Sequence, residues 1–290
     1  AKKVVAELKK KEPKEIFVPS HSGFDLRKRS DCERALKGKN IVIHLAAQIG
    51  GIGFIDEIPG EIFYNNAVMG IELMEAARRA EVKKFVSIGT VCEYPEVTPI
   101  PFKEDCLWDG FPEETTAPYG WAKKILIVQG MAYRKQYGFN SIHLLPVNLY
   151  GPKDNFDKKS THVIPALIRR IFELKDKGSR EFSVWGSGKA TREFLFVEDA
   201  ARGIVMMTEK YDDDKPVNLG TGVETSIKDL VRMIMKYAKY DAKIVWDKTK
   251  PDGQPRRRLD VSQAKKIGFV AKVGLAEGLQ KTIEWYEKNR

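Results

Sequence analysis

Apolar positions along this chain follow two spacings. Short apolar runs stand at Ile16-Phe17-Val18, Ile41-Val42-Ile43-His44-Leu45, Phe85-Val86-Ser87-Ile88 and Ile142-His143-Leu144-Leu145, and they predict buried strands. Between them the apolar residues recur at helical spacing. Val4, Val5 and Leu8 mark a first helix, and Ser30-Asp31 can cap a short second one that ends at Gly38. The segment 61–80 carries Ile62, Phe63, Val68, Met69, Leu73 and Ala76 on one side. Asn65, within that helix, is expected to make a local polar contact. Another helix begins just after Pro118. Strands alternating with helices predict an α/β fold, a doubly wound parallel sheet that binds ligands at the carboxyl ends of its strands. His44 lies inside a strand and is expected to be a packed core histidine.

Beyond Tyr150-Gly151-Pro152 the rhythm loosens. A helix opens at His162 and runs through Lys177, and the segment 182–197 holds two strand-like runs. A helix follows Val197-Glu198-Asp199, short apolar runs at 216–219 and 243–246 flank a helix at 226–239, and a last helix starts at Ala276. The pattern predicts a dinucleotide-binding domain over 1–150 and a smaller α/β substrate-binding domain over 151–290. Part of 194–220 should return to the main sheet. The stretch from Glu93 to Ala117 is long, proline-containing and acidic in its middle, so it is expected to be a loop facing the substrate.

Composition narrows the function classes. The net charge of +10 is spread over 50 basic and 40 acidic residues, with Lys9-Lys10-Lys11 and Arg256-Arg257-Arg258 as the runs. That pattern favours a phosphate-bearing metabolite over nucleic acid. No apolar run approaches the ~20 residues of a membrane span, and Ala1-Lys2-Lys3 is too charged for a signal-peptide core, so a cytoplasmic protein with no membrane partner is expected. Cys32, Cys92 and Cys106 match no metal-ligand spacing, which predicts thiols and no metal.

The candidate chemistry lies in Ala117-Pro118-Tyr119-Gly120-Trp121-Ala122-Lys123-Lys124. Tyr119 and Lys123, four residues apart, share one helix face. An ammonium beside a phenol is expected to draw its pKa toward neutrality, ready for proton exchange with a substrate oxygen. The strand ending at Ile88 delivers the hydroxyl of Thr90, which completes a proton-transfer triad.

Longer strings support this. Gly89-Thr90-Val91-Cys92-Glu93-Tyr94-Pro95, the Tyr119/Lys123 pair, the segments 145–152 and 162–167, Val184-Trp185-Gly186-Ser187-Gly188, Thr191-Arg192-Glu193-Phe194 and the segment 250–257 together resemble the extended short-chain dehydrogenase/reductases, and most of all the GDP-L-fucose synthase family among them. The resemblance covers nearly the whole chain. It implies a two-step epimerase-reductase acting on a GDP-sugar with NADP, or NAD, as cofactor, and a homodimer. By the same likeness Cys92 and His162 would exchange the protons on carbons 3 and 5, and Thr90, Tyr119 and Lys123 would serve the reduction of carbon 4. Ala46, Ala47, Gly89, Lys123, Pro146, Asn148, Leu149 and His162 would line the cofactor, and Arg170, Trp185, Arg192 and Asp252 would bind the nucleotide-sugar.

The N-terminus departs from the family. No Gly-x-x-Gly-x-x-Gly turn precedes the first helix, so the first strand and its glycine-rich turn are expected to be missing, with about 15–20 further residues upstream in the natural chain and weak cofactor binding without them. Gly50-Gly51-Ile52-Gly53 reads as a loop over the active site. After Pro19, no acid follows the expected second strand at once, and His21, Arg27, Lys28 and Arg29 lie nearby, which leans toward NADP. Two other readings stay open: a nucleotide-sugar epimerase that retains NAD, and a non-catalytic nucleotide-binding protein on the same fold.

Overall fold

A computed structural model describes residues 1–250 and 252–290; Pro251, inside one of the strings quoted above, lies outside the described residues. The N-terminal half runs α1 (Lys2–Lys9), α2 (Arg29–Leu36), β1 (Ile41–His44), α3 (Ile52–Glu57), α4 (Pro59–Arg79), β2 (Lys84–Ile88), α5 (Ala117–Tyr137), β3 (Ser141–Pro146) and β4 (Asn148–Tyr150). The C-terminal half runs α6 (Val163–Asp176), β5 (Glu181–Trp185), β6 (Thr191–Phe196), α7 (Val197–Lys210), β7 (Val217–Leu219), β8 (Glu224–Ser226), α8 (Ile227–Tyr237), β9 (Lys243–Asp247), α9 (Ser262–Ile267) and α10 (Leu275–Asn289).

The main sheet has the order β1-β2-β3-β7, with every neighbouring pair parallel. Its central strands are buried on both faces because α4 and α5 pack on one side and α1 and α7 on the other, which is why they carry apolar runs without polar alternation. β7, at 217–219, is the returning segment of the sequence pattern. Two smaller sheets, β4-β6-β8 and β5-β9, sit with α6, α8 and α10 around a second core that contains Ile168, Phe172, Phe182, Val231 and Ile234. Leu259, Val261, Ala264 and Phe269 cross back into the first core, so the chain's C-terminal third contributes to both.

Several expected elements differ. The strand expected at 16–18 does not form: Phe17 and Val18 are exposed, and Phe17 packs edge-on to Phe24 with the Lys39 ammonium 5.3 Å from its ring centre. A strand needs a neighbour to share its backbone hydrogen bonds, and among the described residues β1 pairs with β2 alone, so this run has none. Ser30-Asp31 falls inside the first turn of α2 rather than capping it, and the Asp31 carboxylate instead accepts the Asp25 N–H at 2.8 Å. The 93–117 stretch is fastened to the core more than an open loop would be. It is entered from a 3-10 turn at 91–93 and contains another at 104–108, and its Tyr94, Phe102 and Leu107 are buried. The Phe102 N–H donates to the Arg258 carbonyl at 2.8 Å, which pins the stretch to the C-terminal segment.

Candidate active site

β2 ends at Ile88, and the chain turns at once into a 3-10 turn over 91–93 that carries Thr90 and Cys92. The turn is held by a capping box. Thr90 Oγ1 accepts the Cys92 N–H at 3.2 Å, and the Glu93 carboxylate accepts the Thr90 N–H at 2.8 Å. Glu93 is fully buried, and behind it stands His143 of β3, whose Nε2 is 3.1 Å from Oε2 and whose Nδ1 is 2.6 Å from Ser87 Oγ. The Lys124 ammonium donates to the Glu93 carbonyl at 3.3 Å and to the Leu107 carbonyl. The helix that carries Tyr119 approaches the turn closely because Gly120 faces it: a Cβ there would stand 2.2 Å from the Cys92 carbonyl oxygen. Backbone, carboxylate and helix together fix the turn that carries Thr90 and Cys92 against α5, with Cys92 packed on Tyr119.

Tyr119 is buried, with Ile55, Ile62, Phe54 and Cys92 around it. Here α3, which follows Gly50-Gly51, closes over both side chains, so the segment expected to be an irregular loop is partly helical. Gly51 lies against the Thr161 carbonyl, where a Cβ would come within 2.5 Å, and so the same segment reaches the neighbour of His162. His162 is the N-cap of α6, exposed, with its imidazole held below its usual pKa by the surrounding protein. Tyr119 and Cys92 thus share the cover of α3, and the segment leading into α3 touches the residue before His162.

The expected effect of Lys123 on Tyr119 is not what the geometry gives. The ammonium sits 5.9 Å from the centre of the Tyr119 ring, over its face, and donates to the Ala46 carbonyl at 3.4 Å. Burial pushes the phenol far above its ordinary pKa, and its neighbours Cys92 and Glu93 push the same way. Burial also pulls Lys123 from 10.5 down to about 8, against the nearby Glu93. Desolvation outweighs the expected ion-phenol attraction here, so Tyr119 keeps its proton.

His44 is buried beside Phe85 and has no hydrogen-bond partner on either ring nitrogen among the described residues; burial and the Lys123 charge push it down to about 3, a neutral core histidine. Asn65 donates to the Gln48 side chain at 2.6 Å and accepts from Arg27 at 3.1 Å, a local polar contact. Its neighbour Asn66 exchanges hydrogen bonds with the Gln48 backbone and so anchors the stretch after Ala46-Ala47 to α4.

The residues expected to line the cofactor meet at the carboxyl ends of adjacent strands. Ala46 and Ala47 follow β1, Gly89 follows β2, and Pro146 ends β3. Small residues along this edge and the buried Lys123 ammonium suit the nicotinamide-ribose end of a dinucleotide. Asn148 donates to the Glu193 carbonyl at 2.9 Å, and Leu149 is partly exposed. Of the basic residues near 21–29, Arg27 is paired with Asp25 and Arg29 with Glu72, while His21 and Lys28 are exposed.

Of the expected sugar-nucleotide residues, Arg170 and Trp185 stand on α6 and β5, and Asp252 lies near both the turn after Trp185 and Arg192. Arg170 lies over the Phe182 ring at 5.3 Å and donates to the Ser183 carbonyl, and Trp185 at the end of β5 is 65% exposed. Asp252 accepts the Ser187 N–H at 2.6 Å and its hydroxyl at 2.7 Å, which shapes the glycine turn after Trp185. Arg192 donates to the Thr191 and Gln254 carbonyls and is pushed down to about 10 by burial and by the neighbouring Arg257. Cys92, Glu113 and Asp252 oppose that shift and so lie near Arg192. Arg192 does not pair with Glu193, whose buried carboxylate instead accepts the Thr221, Gly222 and Leu259 N–H groups.

Sequence reasoning did not single out Glu93, His143, Lys124 or Arg257. Glu93 three residues after Thr90 is a capping-box spacing and was detectable. His143 and Lys124 act through partners distant in sequence, as Arg257 does toward Cys92 and Glu113, and no local pattern marks those contacts.

The model of the NAD dependent epimerase/dehydratase family matches residues 3–220. A probable GDP-L-fucose synthase 1 of Oryza sativa subsp. japonica is 38% identical over 277 residues, covering 94% of this chain and 84% of the relative. A GDP-L-fucose synthase of Sinorhizobium fredii is also 38% identical, covering 95% and 88%. Among solved structures, a GDP-L-fucose synthetase of Naegleria fowleri bound to NADP superposes with a TM-score of 0.90 at 26% identity, covering 99% of this chain and 90% of that one.

Proposed function

Because the chain belongs to the NAD dependent epimerase/dehydratase family, and within it to the GDP-L-fucose synthases, we propose that it converts GDP-4-keto-6-deoxy-D-mannose to GDP-L-fucose with NADPH. The supporting observation is that Tyr119 and Cys92 share one cluster beneath α3, while Gly51 brings the same segment against the neighbour of His162. A 4-epimerase would need the tyrosine and not the cysteine-histidine pair.

In this reading the ketone at carbon 4 acidifies the protons on carbons 3 and 5. Cys92 and His162 remove and return those protons from opposite faces, which inverts both centres. NADPH, when bound, supplies the hydride for carbon 4. Tyr119 donates the proton to the oxygen that develops there, a role suited to a phenol that burial keeps protonated. Thr90 hydrogen-bonds the same oxygen, and Lys123 holds the ribose from the floor of the cleft. Ala46, Ala47, Gly89, Pro146, Asn148 and Leu149 line the cofactor, and Arg170, Trp185, Arg192 and Asp252 hold the GDP-sugar, the guanidiniums on its diphosphate.

The protein acts as a homodimer in this reading. α4 presents Tyr64, Val68 and Ile71 at helical spacing, α5 presents Ile125 and Val128, and the Gln129 side chain ties the two helices by donating to the Ile71 carbonyl. Tyr64, Ile71 and Val128 are exposed, an apolar surface two copies could share. No helix among the described residues is long and apolar enough to cross a membrane, in keeping with a cytoplasmic enzyme.

The test is to mix the protein with GDP-4-keto-6-deoxy-D-mannose and NADPH, follow absorbance at the nicotinamide band, and identify the sugar. One NADPH consumed per GDP-L-fucose formed is expected. Epimerised keto-sugar without NADPH consumption would replace this reading by that of an epimerase.

A further inference from the structure

Arg256-Arg257-Arg258 reads in the sequence as a charge run, yet its members have different surroundings. Arg256 is half exposed and pairs with Glu224. Arg257 is 9% exposed, and its Nη1 lies 4.0 Å from Cys92 Sγ. Its guanidinium is fixed from two further sides: Nε donates to the Gln254 side-chain carbonyl, and Nη2 lies 3.9 Å from Glu113 Oε2. Gln254 is anchored in turn, donating to the Glu96 carbonyl at 2.6 Å. Such a cation has lost most of its freedom and its water, and what it faces is a sulfur proposed to take a proton.

We propose that Arg257 is a positioning residue of the epimerisation: it fixes the Cys92 sulfur and stabilises it in the anionic form that accepts a proton from the sugar. The inference rests on the epimerase-reductase reading above. In the step concerned, the carbon–hydrogen bond at carbon 3 or 5 breaks and a sulfur–hydrogen bond forms. The carbon's electron pair moves into the carbonyl, giving an enolate that is protonated from the other face. Before the transfer the negative charge lies on sulfur, and a guanidinium 4.0 Å away stabilises it there. Among the described residues, Arg192 adds to the positive field, and Glu113, Asp252 and Glu93, the residue after Cys92, oppose it.

Alkylation of Cys92 by iodoacetamide, followed by peptide mass spectrometry, measures the sulfur directly and needs no turnover. At pH 7, Arg257→Met should slow it by about tenfold or more, and Arg257→Lys should stay within about threefold of the parent. Glu113→Gln removes the opposing carboxylate but keeps an acceptor, and should speed alkylation by about twofold to fivefold, which keeps the test open should Arg257→Met not fold. Exchange of solvent deuterium into the keto-sugar should fall in step with alkylation. Unchanged alkylation in both Arg257→Met and Glu113→Gln overturns the proposal, as does a rise in KM for the nucleotide-sugar with exchange intact, which would put Arg257 on the diphosphate. Altered alkylation in a parent enzyme that turns over no keto-sugar would leave the pairing standing and remove the functional reading instead.

Discussion

Replacing Lys123 by Met should make the protein more stable and less active. Lys123 is 2% exposed, and burial brings its pKa from 10.5 down to about 8. The gap of about 2.5 pH units, at about 1.4 kcal/mol each, sets the cost of keeping the buried ammonium charged at about 3.5 kcal/mol near neutrality. Between pH 8 and 10.5 the unfolded chain holds this proton and the folded chain does not, so Lys123's penalty shrinks as the pH rises. Methionine has nearly the same shape and no charge. It forfeits the long hydrogen bond to Ala46 and the contact of the ammonium with the Tyr119 ring, together worth about 1–1.5 kcal/mol. The variant should therefore gain about 2 kcal/mol at pH 7, and that advantage should vanish by about pH 10. Urea unfolding of both proteins at pH 7, 8.5 and 10 measures it, since other titrating groups cancel in the difference. A variant less stable than the parent at pH 7, or an advantage that does not change with pH, would refute the reasoning. Loss of carbonyl reduction in the same variant would identify the charge as one retained for function at the expense of stability.

The buried parallel strands and the helices over 59–79 and 117–137 were legible in the sequence because a core between two helix layers demands unbroken apolar runs and helical periodicity. The run at 16–18 has the same composition and is no strand, since strand formation also depends on a neighbour that three residues cannot specify. The Tyr119/Lys123 spacing correctly put both groups on one helix face. The spacing could not say that the ammonium would lie over the ring rather than beside the hydroxyl, nor that burial would decide the phenol's protonation. Cys92 meets Tyr119 through a turn whose local signal, Thr90 followed by Glu93, is present in the sequence. What supports that turn from behind, His143 from β3 and Lys124 from α5, is set by strand register and helix rotation and leaves no mark on the spacing of residues.

Tyr119→Phe should abolish reduction while solvent deuterium still enters the sugar, and Cys92→Ser or His162→Gln should reverse that pattern; mass spectrometry of the sugar with and without NADPH reads both, and joint loss of the two activities in Tyr119→Phe would mean that the steps share their groups. Ile71→Glu with Val128→Glu should convert a dimer to a monomer in sedimentation velocity, and a parent protein that sediments as a monomer would remove the homodimer reading. The buried Glu93–His143 pair gives the last prediction. Glu93→Ala leaves the Thr90 N–H and the His143 Nε2 without their partner in the interior, a cost of about 2–4 kcal/mol in chemical denaturation. Adding His143→Leu removes one of those orphaned groups and restores apolar volume, so the double variant should recover at least about 1 kcal/mol of the loss. Additive losses in that cycle would mean the two side chains do not support each other, and the turn carrying Thr90 and Cys92 would then have to be held by Lys124 and the close approach of α5 alone.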